Sequence, residues 1–159
     1  SLHDALPICT AGAYGVLWAL QKLFHREDFV PRACRLAITY QGKTVILWAK
    51  ADTGCALREP FSGLPVIVCQ ASALTPLLPP GAGKGLPGEG FRLVPFESVG
   101  GSGMLPAFRP DSVRLEPEGT SLPCYVALWQ RGPAGPGFPA GDFQALYGPD
   151  QFPELSPTR

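Results

Sequence analysis

Glycine and proline are spread along this chain so densely that long regular elements have little room. There are 19 glycines and 19 prolines among 159 residues, about a quarter of the chain. Both residues weaken helix interiors, glycine through backbone entropy and proline through its missing N–H. We therefore expect short strands joined by turns rather than a helical bundle. The hydrophobic fraction of 45% is still sufficient for a buried core.

The charge and the cysteine content argue against a nucleic-acid partner and against a bound metal. Thirteen Lys and Arg residues balance thirteen Asp and Glu residues, so a net charge of zero gives no reason to expect nucleic-acid binding. The five cysteines include no CxxC pair, and only His3 and His25 could join them as metal ligands. We therefore expect neither a zinc site nor another cofactor, and a reducing, cytosolic setting fits these thiols.

The pattern of apolar residues predicts an all-β domain with one or two short helices. Apolar residues alternate from Arg35 to Ala51 around the turn Gln41-Gly42-Lys43, which indicates a β-hairpin. Pro65–Cys69 is a short apolar strand suited to burial on both faces. Short helices are predicted within Gln70–Leu78 and over Asp142–Tyr147. Further strands, including a second hairpin, are predicted at Phe91–Phe96, Met104–Arg109, Ser112–Glu116 and Cys124–Gln130.

The two ends of the chain differ from this middle part. We expect residues 1–7 to be foreign or artefactual, because they share no pattern with the rest of the chain. Residues 8–21 carry no charge, but they are fewer than the ~20 that span a bilayer. They form either a short buried or interfacial helix, or the end of a membrane helix with cationic residues on its cytoplasmic side. We favour the second, with 8–32 as helix end and juxtamembrane linker, 33–152 as one domain and 153–159 as a tail.

One tripeptide, Asp52-Thr53-Gly54, directly follows the clearest strand and carries the candidate chemistry. Asp and Gly are ordinary turn residues, so a plain turn is one interpretation. The other is catalytic, because aspartic proteases present their carboxylate on an apolar strand that delivers Asp-Thr-Gly into a loop.

That chemistry needs two carboxylates that share a proton, and the chain contains no second D-[ST]-G. A catalytic form must therefore be a symmetric homodimer with both copies of Asp52 at its axis. Thr53 would hydrogen-bond across to the other copy, and Gly54 would permit the close backbone approach.

Several segments around and after the tripeptide stand in an order that resembles a known family. They read ITYQGKTVILWAKADTG, CALREPFSGLPVIVC, RLVPFESVG with LPAFRPDSV, and DFQALYGPDQF. Together they resemble the sporulation sigma-E factor processing peptidases, membrane-associated aspartic proteases of spore-forming bacteria, over roughly residues 35–152.

The resemblance implies a single-lobe, retropepsin-like aspartic protease barrel, with 33–152 as the protease domain. Asp52 would be the catalytic residue, supported in its loop by Thr53 and Gly54. The tip of the second hairpin would be the flap that closes over the substrate, unless it is an ordinary exposed hairpin; its residues are Val99, Gly100, Gly101 and Gly103.

The resemblance also implies partners and a location. The substrate would be a sporulation sigma factor precursor, which loses its pro-segment. A second copy of the chain would complete the site, and a signalling protein would act on the membrane part. The protease domain would lie on the cytoplasmic side of the cell membrane, in the mother cell of a sporulating bacterium.

Three positions depart from the family pattern. Cys55 stands where the family usually has Asn, Glu59 replaces the Asp before Pro60, and Lys50 occupies a normally apolar strand position. Cys55 and Lys50 leave a second hypothesis open, a non-catalytic β-barrel module that dimerises or binds a peptide. A third hypothesis is a monomer that is idle without its membrane anchor, because confinement to a membrane raises the effective concentration for dimerisation.

Overall fold

The computed structural model of the chain describes residues 15–17, 19, 33–80, 89–98, 101–130, 138 and 140–152. The chain divides into two compact units, Ser1–Pro31 and Arg32–Arg159. In the first unit, residues 15–17 and 19 are helical. None of the helices in the described ranges is long and apolar enough to cross a membrane. Residues 1–7, most of 8–32 and the tail 153–159 lie outside the described residues.

The second unit is built from strands, which confirms the predicted all-β class. The two 3₁₀ helices in its described part are Ala71–Leu74 and Pro149–Gln151. Its nine described strands are β1 (Ala33–Tyr40), β2 (Lys43–Ala51), β3 (Val66–Gln70), β4 (Phe91–Ser98), β5 (Gly101–Phe108), β6 (Ser112–Glu116), β7 (Thr120–Ser121), β8 (Tyr125–Trp129) and β9 (Ala145–Tyr147).

The nine strands form one sheet in the order β4-β5-β8-β3-β9-β2-β1-β6-β7. Neighbours are antiparallel except for two parallel pairs, β2 with β9 and β3 with β8. Within the described residues β4 and β7 end the sheet, so hydrogen bonds do not close it into the expected barrel. The sheet instead buries apolar side chains on both of its faces.

The first hairpin forms where the alternating pattern predicts it. β1 and β2 pair from Ala33↔Lys50 to Tyr40↔Lys43. Gln41 and Gly42 both have positive φ, 50° and 78°, as the tight turn of a twisted hairpin requires. The carboxylate of Asp111 accepts a 2.8 Å hydrogen bond from the Gln41 N–H and holds this turn.

Two apolar clusters stabilise the unit, and β3 contributes to both. Ile67 and Cys69 belong to one cluster, and Val66 and Val68 belong to the other. The predicted burial of this strand on both faces is therefore confirmed. Each fully buried side chain of this size contributes about 1.5–3 kcal/mol relative to an exposed one, so the central strands supply much of the stability.

The helix predicted over Asp142–Tyr147 is wrong. Its last three residues form β9, which lies in the middle of the sheet between β2 and β3. A short apolar run fits a buried strand and a buried helix equally well, and here the partners that decide are distant in sequence. The other helical prediction is confirmed as the 3₁₀ helix within Gln70–Leu78.

Candidate active site

Asp52 lies immediately after the last residue of β2, half-buried at the end of the parallel pair with β9. Its backbone N–H donates a 2.9 Å hydrogen bond to the carbonyl of Tyr147, the last residue of β9. This bond extends the ladder by one residue beyond Ala51↔Tyr147. The strand therefore delivers the carboxyl group to a fixed position, as the sequence predicts.

The Asp-Thr-Gly turn holds the carboxyl group from its own side. The Gly54 N–H donates to Asp52 Oδ1 at 2.9 Å, and the Cys55 N–H donates to the Asp52 carbonyl at 3.0 Å. A Cβ at Gly54 would lie 3.3 Å from Oδ1, closer than ordinary contact, so glycine fits this turn best. Thr53 and Gly54 are exposed.

A second loop, formed by residues 148–151, packs against the Asp-Thr-Gly turn and the residues that follow it. Gly148 is buried, and a methyl group there would overlap the carbonyl of Cys55. The side-chain amide of Gln151 donates a 3.0 Å hydrogen bond to the Leu57 carbonyl. Sequence reasoning alone does not find Gly148, because its close neighbour Cys55 is distant in the chain.

Cys55, the departure next to the tripeptide, is a buried free thiol. Burial raises its pKa above 9.0 and the nearby Asp52 carboxylate raises it further, although a hydrogen bond with the Leu57 backbone lowers it. The thiol therefore stays protonated at neutral pH and is a poor nucleophile.

Glu59, the second departure, is fully buried in the loop after the Asp-Thr-Gly turn. Its carboxylate accepts hydrogen bonds from the backbone N–H groups of Phe61 (3.1 Å) and Ser62 (2.6 Å). Arg92 Nη1, on β4, lies 3.4 Å from Glu59 Oε1. Burial acts to raise the pKa of Glu59, but the hydrogen bonds and the Arg92 charge lower it to about 2. An ion pair between buried Glu59 and half-exposed Arg92 therefore links the loop after Asp52 to β4.

The predicted second hairpin is confirmed as β4 and β5, paired from Phe91↔Phe108 to Ser98↔Gly101. Gly103 faces Phe96, whose ring would lie 2.9 Å from a Cβ at that position. Val99 and Gly100 lie outside the described residues. Arg92 connects the base of this hairpin to the loop after Asp52, and the role of the tip as a flap stays a prediction.

The described residues offer no evident metal site. No group of three or more His, Cys, Asp or Glu side chains in these parts of the chain is arranged to hold an ion. The Asp52 carboxyl group accepts its hydrogen bond from a backbone amide, that of Gly54.

Comparison with known protein families gives a match that covers most of the chain. The family model described as Sporulation factor SpoIIGA, a peptidase family, matches residues 4–131, about four fifths of the chain. The match includes Asp52 and both hairpins and ends before β9. No curated protein matches the chain significantly. The chain therefore belongs to the SpoIIGA family, the sporulation sigma-E processing peptidases.

Proposed function

We propose that this peptidase is an aspartic endopeptidase that acts as a homodimer and removes the pro-segment from a sporulation sigma factor precursor. The observation that carries the proposal is the presentation of Asp52. The parallel β2–β9 pair fixes its backbone, the Gly54 N–H fixes one carboxyl oxygen, and the side chain is half-exposed at the end of the strand.

A homodimer is needed because a single carboxylate cannot perform this chemistry. Two carboxylates held a few Å apart cannot both ionise, so they share one proton and titrate as a pair. The ionised Asp52 accepts a proton from the attacking water, while the protonated Asp52 of the other copy donates a hydrogen bond to the scissile carbonyl. A single chain, with one Asp-Thr-Gly, supplies half of this arrangement.

The surroundings of Asp52 support an approach by a second copy. Thr53 and Gly54 are exposed, and the Thr53 hydroxyl has no hydrogen-bond partner among the described residues. A hydroxyl in this position is free to hydrogen-bond to the symmetry-related loop. In the proposed dimer this bond holds the two carboxyl groups coplanar.

In this proposal, the N-terminal part of the chain associates with the membrane, and the signalling protein acts on the membrane part. In this arrangement the N-terminal part holds the protease domain at the cytoplasmic face of the mother-cell membrane. Confinement to a surface raises the effective concentration of the two half-sites and favours their pairing.

The test is cleavage of a pro-sigma factor by the wild-type chain and by Asp52→Asn, each in membrane-tethered form. We expect Asp52→Asn to lower kcat/KM by at least about a hundredfold, because an amide cannot accept the proton from water. Asp111→Asn is the matched control, since Asp111 holds the turn at the other end of β2. Circular dichroism of each variant checks that the fold is retained.

Two results would contradict the proposal. Undiminished cleavage by a folded Asp52→Asn variant would remove this carboxylate from the mechanism. Absence of cleavage by the tethered wild-type chain would favour the non-catalytic, peptide-binding module.

A further inference from the structure

Lys50 belongs to a row of paired residues that crosses the sheet two residues before Asp52. The register pairs Lys50 with Leu146 of β9 and continues through the neighbouring strands. The row continues through Val68, Ala127 and Ala107 to Arg92 of β4, and Ala33 of β1 pairs with Lys50 on its other side. Leu146, Val68, Ala127 and Ala107 belong to the second apolar cluster, so Lys50 places a cation beside a stretch of four apolar residues.

Lys50 and Asp52 lie on the same face of their strand. Ala49 and Ala51 face the first apolar cluster, so Lys50 points to the opposite side. Asp52 continues this alternation, because its N–H still bonds to β9. The two Cα atoms are about 6.6 Å apart at a rise of ~3.3 Å per residue.

The ammonium group of Lys50 is available for a ligand. Lys50 is half-buried, and no described residue forms an ion pair with it. By contrast, Arg35 stacks on Trp48 and Arg92 pairs with Glu59. Partly burying an unpaired cation is costly, so a carboxylate that arrives at this place gains more than it would at an exposed lysine.

The same strand face continues as an open depression beyond Lys50. Half-exposed Trp48 lines a cavity of about 390 Å³ together with Asp142, Phe143 and Gln144. A peptide that crosses Asp52 and follows this face therefore meets the Lys50 ammonium first, and then an aromatic surface that also carries the Asp142 carboxylate.

We propose that Lys50 selects substrates with an acidic side chain within two residues of the scissile bond, by pairing its ammonium with that carboxylate. The proposal rests on the proposed function, because it assumes that the scissile bond lies at Asp52. Alternate side chains of an extended peptide repeat every ~6.6 Å, which matches the spacing of Lys50 from Asp52. Lys50 is thus a specificity-determining residue.

The test uses synthetic peptides that span the pro-segment junction of a sigma factor precursor. Each of the two residues on either side of the scissile bond is replaced in turn by Asp, Asn or Lys, and mass spectrometry locates the cut. At one of these positions we expect the wild-type chain to prefer Asp over Asn by about fivefold in kcat/KM. Lys50→Met abolishes the preference, Lys50→Arg keeps it, and Lys50→Glu reverses it in favour of Lys.

The controls separate failure of this inference from failure of the proposed function. Lys43→Met changes an exposed lysine of the same strand and leaves the preference intact. Cleavage that requires Asp52 but shows no Asp preference, or keeps it in Lys50→Met, overturns the role of Lys50 alone. If Lys50→Met fails to fold, the reversal in Lys50→Glu decides the question, and unreversed preference there overturns the inference. Cleavage that survives Asp52→Asn overturns the proposed function itself.

Discussion

Gly148 is a glycine for steric rather than conformational reasons. Its φ of −86° is available to any residue, but the carbonyl of Cys55 occupies the space that a side chain would need. The loop that carries Asp52 and the loop that follows β9 therefore lie so close together that no side chain fits between them at Gly148.

The first prediction concerns this approach. Gly148→Ala pushes the Cys55 carbonyl away, and we expect the free energy of unfolding to fall by about 1–3 kcal/mol, as for other overpacked sites. Cleavage falls as well, since the Asp52 carbonyl bonds to the Cys55 N–H. Urea denaturation and a cleavage assay measure the two effects. Gly15→Ala is the control, because no atom lies within 4 Å of its added methyl group; equal stability of both variants would disprove the argument.

Single residues were predictable where their signal is local. Asp52, Thr53 and Gly54 form a contiguous motif after a clear strand, so their placement follows from the sequence. Gly148 and the partnership of Glu59 with Arg92 could not be found in this way. The role of Gly148 depends on the Cys55 carbonyl, and the role of Glu59 depends on the Arg92 charge. The fold brings these groups together although they are distant in the sequence.

At the scale of elements, one carboxylate, that of Glu59, organises the turn that follows the Asp52 loop. Arg58 and Pro65 pair across its base, and Gly63 supplies a positive φ of 70°. Glu59 accepts two N–H groups inside the turn and the Arg92 guanidinium outside it. Phe61, 86% exposed, lies with its ring 5.4 Å from that guanidinium.

The second prediction is a pH dependence of stability that comes from Glu59. Its pKa is lowered from 4.5 to about 2 in the folded chain, so between these values the unfolded chain binds more protons. The stabilisation is therefore complete above about pH 4.5 and is lost as the pH falls through 2. We expect Glu59→Gln to be less stable than wild type at pH 7, with a gap that narrows steadily from pH 5 to pH 2.

Urea titrations at several pH values measure this gap. Glu97→Gln is the control, since Glu97 is an exposed carboxylate on β4. A Glu59→Gln gap of constant size across the pH range would mean that the lost interaction is not one of charge.

The elements that alternate or form hairpins were predictable, and β9 was not. β1, β2, β4 and β5 pair with their neighbours in sequence, so pattern and turn chemistry are sufficient. β9 has three residues and pairs only with strands far away in the chain. β7 was not predicted, because its two residues are too few to show the alternating pattern of a strand.

At the scale of the whole molecule, the proposed site is completed by assembly. The third prediction uses mixtures of wild type and Asp52→Asn at constant total protein. If two copies share one site, an equal mixture that exchanges freely retains roughly a quarter of the wild-type activity, since only that fraction of dimers has both carboxylates. Independent subunits would retain half, and that result would contradict the dimeric site. Mixtures with Asp111→Asn serve as the control.

The position of β9 has a consequence for the time at which the site forms. The ribosome releases Asp52 before residues 145–151. This later segment provides the Tyr147 carbonyl that bonds to the Asp52 N–H, and the Gln151 amide that bonds to the Leu57 carbonyl. β9 also fills the place between β2 and β3. A nascent chain that stops short of residue 145 therefore contains Asp52 without the strand and loop that position it, so the proposed half-site forms only after translation has passed this point.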